Sequence, residues 1–439
     1  MFCPNIVVYV AHDLGRFIGP YGVETVRTPN LDRLAAEGVV FENHFATAPQ
    51  CSPSRAGLFS GRHPHSNGCM GLAGGWAGWS LKEDERHLAG LLGDQGYESA
   101  LIGIAHEARG EYLERCGFDD ISRHWQHNAA EVGGHLSDWL EERERPEAPF
   151  FAEIGTMECH HPFLFHDIEP DESLGVTVPE PLEPGPGTRE FFADLQGCAQ
   201  RWDRGLGDLL SVLEERGLAE NTIVIATTDH GVPAPRAKCT LYDPGLGTLL
   251  LMRYPDELAA GTRHDCMLSN IDLVPTLLEA VGAEIPARVQ GRSFWPLLQG
   301  EDYQERAEIY AEKTYHTQYD PMRCIRTNRY KYIRNFEGVT HEHCCRDCQE
   351  RGIYTENLHL RSVERQDLGL LDELYDLHAD PLEMNNLAEE PDHQDVLADL
   401  KGRLVGWMEA TNDPLLDGPV AAPFFYQSLE DFKESGRRE

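Results

Sequence analysis

Lysine is nearly missing from this chain: of 439 residues only six are Lys, against 32 Arg. Basic charge as a whole is short, with 38 Lys and Arg facing 74 Asp and Glu for a formal net charge of −36. That imbalance argues against non-specific binding to DNA, RNA or anionic lipid, because a polyanion would need a local basic patch. An acidic, lysine-poor surface suits a high-salt cytoplasm, where ions screen self-repulsion, and equally a GC-rich genome. Long apolar runs are lacking too: no stretch approaches the roughly 20 apolar residues of a membrane span, so no membrane partner is expected. Met1-Phe2-Cys3-Pro4 leads into Asn5-Ile6-Val7-Val8-Tyr9-Val10 without the basic start of a secretion signal, and the expectation is a cytoplasmic protein. The 12 cysteines are irregularly spaced, which gives no disulfide framework and agrees with a reducing compartment. No internal repeat is present, and the length allows two or three domains with an ample core.

What is there is an alternation of short apolar, β-rich runs with helical stretches, the pattern of an α/β protein with a mainly parallel sheet covered on both faces. The spacing predicts strands over Ile6–Ala11, Ser99–Ile104, Phe150–Ile154 and Thr222–Ala226, with helices over Leu31–Glu37, Ser54–Ser60, Leu88–Gln95 and Phe192–Arg216. Each predicted strand runs straight into ionisable residues: His12-Asp13, His106, His160-His161 and Asp229-His230. Ligands in open α/β sheets bind beyond the carboxyl ends of the strands, so these clusters should converge. Glu169–Pro186, rich in Pro, Glu and Gly, reads as a surface loop. After Gly291-Arg292-Ser293-Phe294-Trp295-Pro296 the pattern changes: Met322–Phe336 alternates like an antiparallel hairpin and Glu373–Leu377 like a further strand. We place a boundary near residue 305, giving a catalytic α/β domain over 1–305 and an α+β subdomain with an antiparallel sheet over 306–439.

Cys51-Ser52-Pro53-Ser54-Arg55, followed by Ala56-Gly57-Leu58-Phe59-Ser60-Gly61-Arg62, is the most informative segment. A cysteine beside a proline suited to a first helical turn sits where unpaired N–H groups gather positive potential, and Arg55 one turn on can lean back toward it. Such a position suits an anion. The pattern C-x-P-x-R ahead of a hydrophobic run and Ser-Gly-Arg resembles the type I sulfatases of the alkaline phosphatase superfamily. The resemblance extends from Pro4-Asn5 through Thr28-Pro29-Asn30-Leu31-Asp32 to Asp380-Pro381-Leu382-Glu383-Met384-Asn385-Asn386-Leu387. His65-Ser66-Asn67-Gly68, Gly231-Val232-Pro233-Ala234-Pro235, Pro321-Met322-Arg323 and Thr411-Asn412-Asp413-Pro414 look most like the heparan N-sulfatase (sulfamidase) branch.

The resemblance implies an alkaline-phosphatase-like fold and conversion of Cys51 to formylglycine by a formylglycine-generating enzyme. It also implies one divalent metal held by His12, Asp13, Cys51, Asp229 and His230, and a small sulfated substrate of the sugar class. The family has two aspartates where this chain has His12-Asp13. Ca²⁺ is the family metal, but an imidazole favours Mn²⁺ or Zn²⁺; the other reading lets His12 step back and contact substrate. By the same resemblance Arg55 steadies the nucleophile, His106 takes a proton from it, His161 protonates the leaving group and Lys238 grips the sulfate. A second family lysine is Ile104 here, and His12, Arg16 or Arg109 could stand in for its charge. Tyr315, His316 and Arg323 are candidate sugar contacts. His341-Glu342-His343-Cys344-Cys345-Arg346-Asp347-Cys348 reads either as a zinc site or as a loop of reduced thiols. Two rival functions stand beside the sulfatase: a phosphodiester or phosphonate monoester hydrolase of the same superfamily, and a non-catalytic, sulfated-sugar-binding relative.

Overall fold

The computed structural model describes residues 3–74, 77–108, 110–124, 127–163, 167–337, 349, 351–363 and 371–435. Arg109 and the 341–348 cluster lie outside the described residues. A large sheet is formed by β1 (Asn5–Ala11), β2 (Val39–Phe45), β3 (Glu98–Gly103), β4 (Asp120–His124), β5 (Phe150–Gly155), β6 (Thr222–Thr228), β7 (Gly247–Thr248), β8 (Leu250–Arg253) and β9 (Thr262–Ser269). Its order is β4-β3-β5-β1-β6-β8-β2-β7, with β9 paired to β2. From β4 to β6 every pairing is parallel, while β8 runs antiparallel to both β6 and β2. Every residue of β1, β5 and β6 is buried, as expected of central strands covered on both faces, and this is why they read as continuous apolar runs. One face packs Val7, Tyr9, Ile154 and Val224 against Leu136, Trp139, Trp202 and Leu206 of the helices Val132–Glu142 and Pro186–Glu215. The other packs Ile6, Val8, Phe151 and Ile225 against Leu58, Phe59, Leu88, Leu273 and Leu277. The long helix starts at Pro186, ahead of the expected Phe192, because proline tolerates the first helical position.

A second, four-stranded antiparallel sheet has the order β10 (Glu308–Tyr315), β11 (Tyr319–Thr327), β12 (Tyr330–Asn335), β13 (Asp372–Asp376). The expected hairpin is β11–β12, with Cys324 opposite Ile333. One face of this sheet joins the large one through Ile309, Met322 and Tyr375 against Phe45, Leu241 and Met267. The other face is covered by Leu400, Leu404 and Trp407 of the helix Gln394–Ala410. No helix among the described residues is long and apolar enough to cross a membrane.

Charge ties the second sheet to the segment after the helix Gln394–Ala410 and to the short helix that carries His65. Arg323 Nε and Nη2 donate to Asp413 Oδ2 and Oδ1 at 2.5 and 3.0 Å, and Nη1 donates to the carbonyls of Lys313 and Met322, each at 3.0 Å. Glu312 accepts from the His65 backbone N–H at 2.6 Å and bonds the His65 ring. Three of the segments that set this chain nearest the sulfamidase branch, those carrying His65, Arg323 and Asp413, therefore meet in one buried ion network. Arg323 is not a sugar contact: it is fully buried and each of its nitrogens is bound by protein. Tyr315 packs on Trp79 and Tyr319 and donates its hydroxyl to Val420 O at 3.1 Å, and His316 is buried.

Candidate active site

The carboxyl ends of β1 and β6, which lie side by side, deliver His12-Asp13 and Asp229-His230 to one point. Asp13 adopts a left-handed backbone (φ 50°) and its N–H donates to Asp229 Oδ1 at 2.9 Å, so the turn after β1 is folded directly onto the residue leaving β6. Gly231 completes the second turn. A Cβ there would lie 1.8 Å from the Pro244 carbonyl oxygen, a separation no side chain can take.

Cys51 is the first residue of the helix Cys51–Ser60, one turn earlier than its predicted start at Ser54, with Gln50 as the extended N-cap. This sets its sulfur at the positive end of the helix. Cys51 Sγ lies 3.3 Å from His230 Nε2 and 3.8 Å from Asp13 Oδ1. Lys238 Nζ donates to Asp13 Oδ2 at 2.6 Å. Burial opposes ionisation of the thiol, but Lys238 and His230 outweigh it and hold Cys51 well below the usual thiol range. Against the same opposition from burial, Lys238 and His230 hold the Asp13 carboxyl far down, and His230 with His12 does so for Asp229.

Arg55, fully buried, donates from Nε to Asp229 Oδ2 at 3.2 Å and from Nη2 to the Ala11 carbonyl at 3.1 Å. Its Nη1 has no hydrogen-bond partner among the described residues. His106 follows β3 and lies with His12 and Cys51 in a group whose ligating atoms are all within 4.8 Å of one another. Burial lowers the His106 pKa, so its ring is neutral near pH 7 and free to accept a proton.

Ligand atoms of His12, Asp13, Cys51 and Asp229 lie within 4.8 Å of one another, and His230 Nε2 touches this set at 3.0 Å from Asp13 Oδ1. His12 Nδ1 stands 3.0 Å from Asp229 Oδ2, yet neither ring nitrogen makes a well-aligned hydrogen bond among the described residues. Burial pulls the His12 pKa down, but Asp229 pushes it up to about 10. Two buried carboxylates and two imidazoles converging with spare donor atoms fit a divalent cation, which would take the place of those protons.

The imidazole found against His12 from the β5 end is His160, at 5.3 Å between ring centres, whereas His161 is edge-on to Phe163. His160 belongs to the His160-His161 pair expected to converge with the other strand ends, and it is the member of the pair whose ring reaches His12. Arg16 does not stand in for the missing lysine: it donates to the carbonyls of His44 and Thr248 and lies over Phe45. Ile104 is buried.

A family model described as Sulfatase matches residues 4–283, and one described as N-sulphoglucosamine sulphohydrolase, C-terminal, matches residues 236–350. An ulvan-active sulfatase of Formosa agariphila is 29% identical over 432 residues, covering 96% of this chain and 83% of that protein. The human N-sulphoglucosamine sulphohydrolase is 26% identical, covering 94% of this chain and 92% of its own. A solved structure of a protein in complex with its substrate, D-glucosamine-2-N,6-O-disulfate, superposes with a TM-score of 0.71 at 20% identity, covering 94% of this chain and 98% of that one.

Proposed function

The chain belongs to the sulfatase family and is a sulfuric ester hydrolase, and from that premise we propose that it removes sulfate from an O- or N-sulfated sugar with Cys51, oxidised to formylglycine, as nucleophile. The observation that carries this is the placing of Cys51 Sγ at a helix head, 3.3 Å from His230 and beside the Asp13–Lys238 pair. His12, Asp13, Asp229, His230 and the modified Cys51 would hold the divalent cation, and the two imidazoles favour Mn²⁺ or Zn²⁺ over Ca²⁺. When bound, the cation supplies Lewis acidity that favours an ionised nucleophile and neutralises the sulfuryl group.

The chain's own groups do the rest. Formylglycine hydrates to a pair of hydroxyls on one carbon. The oxygen of one attacks sulfur while the bond to the sugar oxygen or nitrogen breaks, and a histidine from the β5 end protonates the leaving atom; His161 is the family position and His160 the ring beside His12. Arg55 and Lys238 offset the charge gathered around the nucleophile. His106 then accepts the proton of the second hydroxyl, the carbonyl reforms, sulfate departs and water restores the hydrate. An amino-sugar substrate is supported by the sulphoglucosamine relative and by the disulfated glucosamine bound to a protein of the same fold.

Peptide mass spectrometry of residue 51 in protein made beside a formylglycine-generating enzyme, with elemental analysis and turnover of sulfamate, aryl sulfate and phosphodiester probes, tests this. Formylglycine, one metal per chain and preferred sulfate or sulfamate turnover are expected, and Cys51→Ala lowers kcat on the order of 10⁴-fold or more. Faster phosphodiester turnover, to which the imidazole-rich ligand set points as the second reading, makes the protein a phosphodiesterase. An unmodified Cys51 without turnover makes it a non-catalytic sugar binder.

A further inference from the structure

A second charged group is buried between the large sheet and the helices Cys51–Ser60 and Leu88–Gly93. Glu153 shares a face of β5 with Phe151, which packs against Phe59 and Leu88. Glu107 follows His106 in the chain, and the His87 ring stacks on Phe59 at 5.2 Å. His87 Nε2 stands 3.6 Å from Glu107 Oε1 and 3.5 Å from Glu153 Oε2. None of the three is more than 1% exposed. Neither His87 Nε2 nor any of the four carboxylate oxygens has a hydrogen-bond partner among the described residues.

Two neighbouring carboxylates sealed from water cannot both stay ionised without a cation or a proton between them. Carboxylates with an imidazole would ordinarily suggest a metal ion, and His87 decides against it. The ring is the N-cap of Leu88–Gly93, and its Nδ1 accepts the Ala89 backbone N–H at 3.1 Å. A backbone N–H can only donate, so Nδ1 carries no proton, the neutral ring is protonated at Nε2, and Nε2 has no lone pair to give a metal. Nε2 stands instead between the two carboxyls.

We propose that Glu107 and Glu153 share a single proton, with His87 Nε2–H turned to the pair from 3.5–3.6 Å, and that this singly charged group is a positioning device for Arg55 and His106. Glu107 is the residue next to His106, buried in the same loop. Glu153 lies two residues before Gly155, where a Cβ would be 3.3 Å from Arg55 Nη1. Burial and then Glu107 raise the Glu153 pKa well above the carboxylate range, while the Arg55 charge acts on it in the opposite sense. One negative charge below Arg55 holds the guanidinium without competing with Asp229; two would draw it off, and none would leave Nη1 without a counter-charge.

The kinetic consequence rests on the sulfatase reading, but the proton itself is observable without substrate. The metal-loaded protein at neutral pH, compared by infrared difference spectroscopy with its Glu153→Gln and Glu107→Gln forms, should show the carbonyl band of one protonated carboxyl that both substitutions remove, with metal content unchanged. An amide can replace the protonated partner, so each single variant should keep kcat within about threefold, while the double Gln variant lowers kcat on the order of tenfold to a hundredfold at nearly constant KM, the scale of a misplaced acid–base group. Absence of that band from the wild-type difference spectra, loss of a metal equivalent in Glu153→Gln, or full kcat in the double variant overturns the proposal. Lack of desulfation by the wild type overturns the sulfatase reading and leaves the band to decide this one.

Discussion

Two buried arginines, Arg55 and Arg323, sit in clusters of similar composition and do different work. Both are fully buried and both face aspartate. On the face of the second sheet that the helix Gln394–Ala410 covers, Arg323 has each nitrogen bonded, and Asp413 and Glu312 also accept from the backbone N–H groups of Leu415 and His65. At the strand ends Arg55 keeps Nη1 unpaired, and both ring nitrogens of His12 lack an aligned partner among the described residues. Polar groups left short in a closed interior are costly unless something not of the chain completes them. The difference between the clusters is therefore one of spare valence: the satisfied one clamps, and the other keeps polar atoms over, which the proposed cation and sulfate would use.

The most forceful way to break this contrast is to remove the two guanidiniums in turn. Arg55→Met should lower kcat/KM on the order of 10²–10³-fold, the scale of losing one preorganised donor at a developing charge, as measured by steady-state kinetics on the metal-loaded protein. Arg323→Met should instead lower the unfolding free energy by about 3–5 kcal/mol in denaturant titration, because it strands Asp413 and Glu312 without their counter-charge, and should leave kcat/KM of the folded fraction within about threefold. Equal kinetic losses in both variants would erase the distinction.

A smaller effect is set by pH. Burial raises the Asp413 and Glu312 carboxyls, but Arg323 for Asp413, and His65 then Arg323 for Glu312, outweigh it and hold them below their usual 3.8 and 4.5. A depressed carboxyl contributes stability that is present in full above its unfolded value and is lost as pH falls through its folded value. Wild-type melting temperature should therefore hold down to about pH 5 and fall below it, and Arg323→Met should flatten part of that fall. An acid limb identical in the two proteins would show that the carboxyls around Arg323 are not its source.

Much of the frame was readable because central parallel strands have to be apolar throughout. The predicted strand at Ile6–Ala11 is found as Asn5–Ala11, and that at Thr222–Ala226 as Thr222–Thr228. The rule that ligands bind beyond carboxyl strand ends led to the expectation that Asp13, His106 and Asp229 converge, and the fold does bring them to one point. What stayed hidden were properties of neighbours distant in sequence. Arg323 looked like a sugar contact since a lone exposed arginine and a clamped one have the same letter; only the approach of Asp413 from the far end of the chain separates them. His87, Glu107 and Glu153 gave no signal, because each sits in an ordinary helix start, loop or strand and becomes unusual only when the sheet folds them together. The choice between His160 and His161 turned on which way a short turn points its rings, which no periodicity reports.

Gly231 carries a consequence for descent. Its α-hydrogen already faces the Pro244 carbonyl so closely that even a methyl has no room, and this close fit lets Asp229 and His230 turn toward Asp13 and Cys51. A lineage that gave up hydrolysis would be released from that crowding while its aspartates and histidines were still in place. Among descendants of this chain, a bulkier residue at 231 would be an early mark of a retired enzyme.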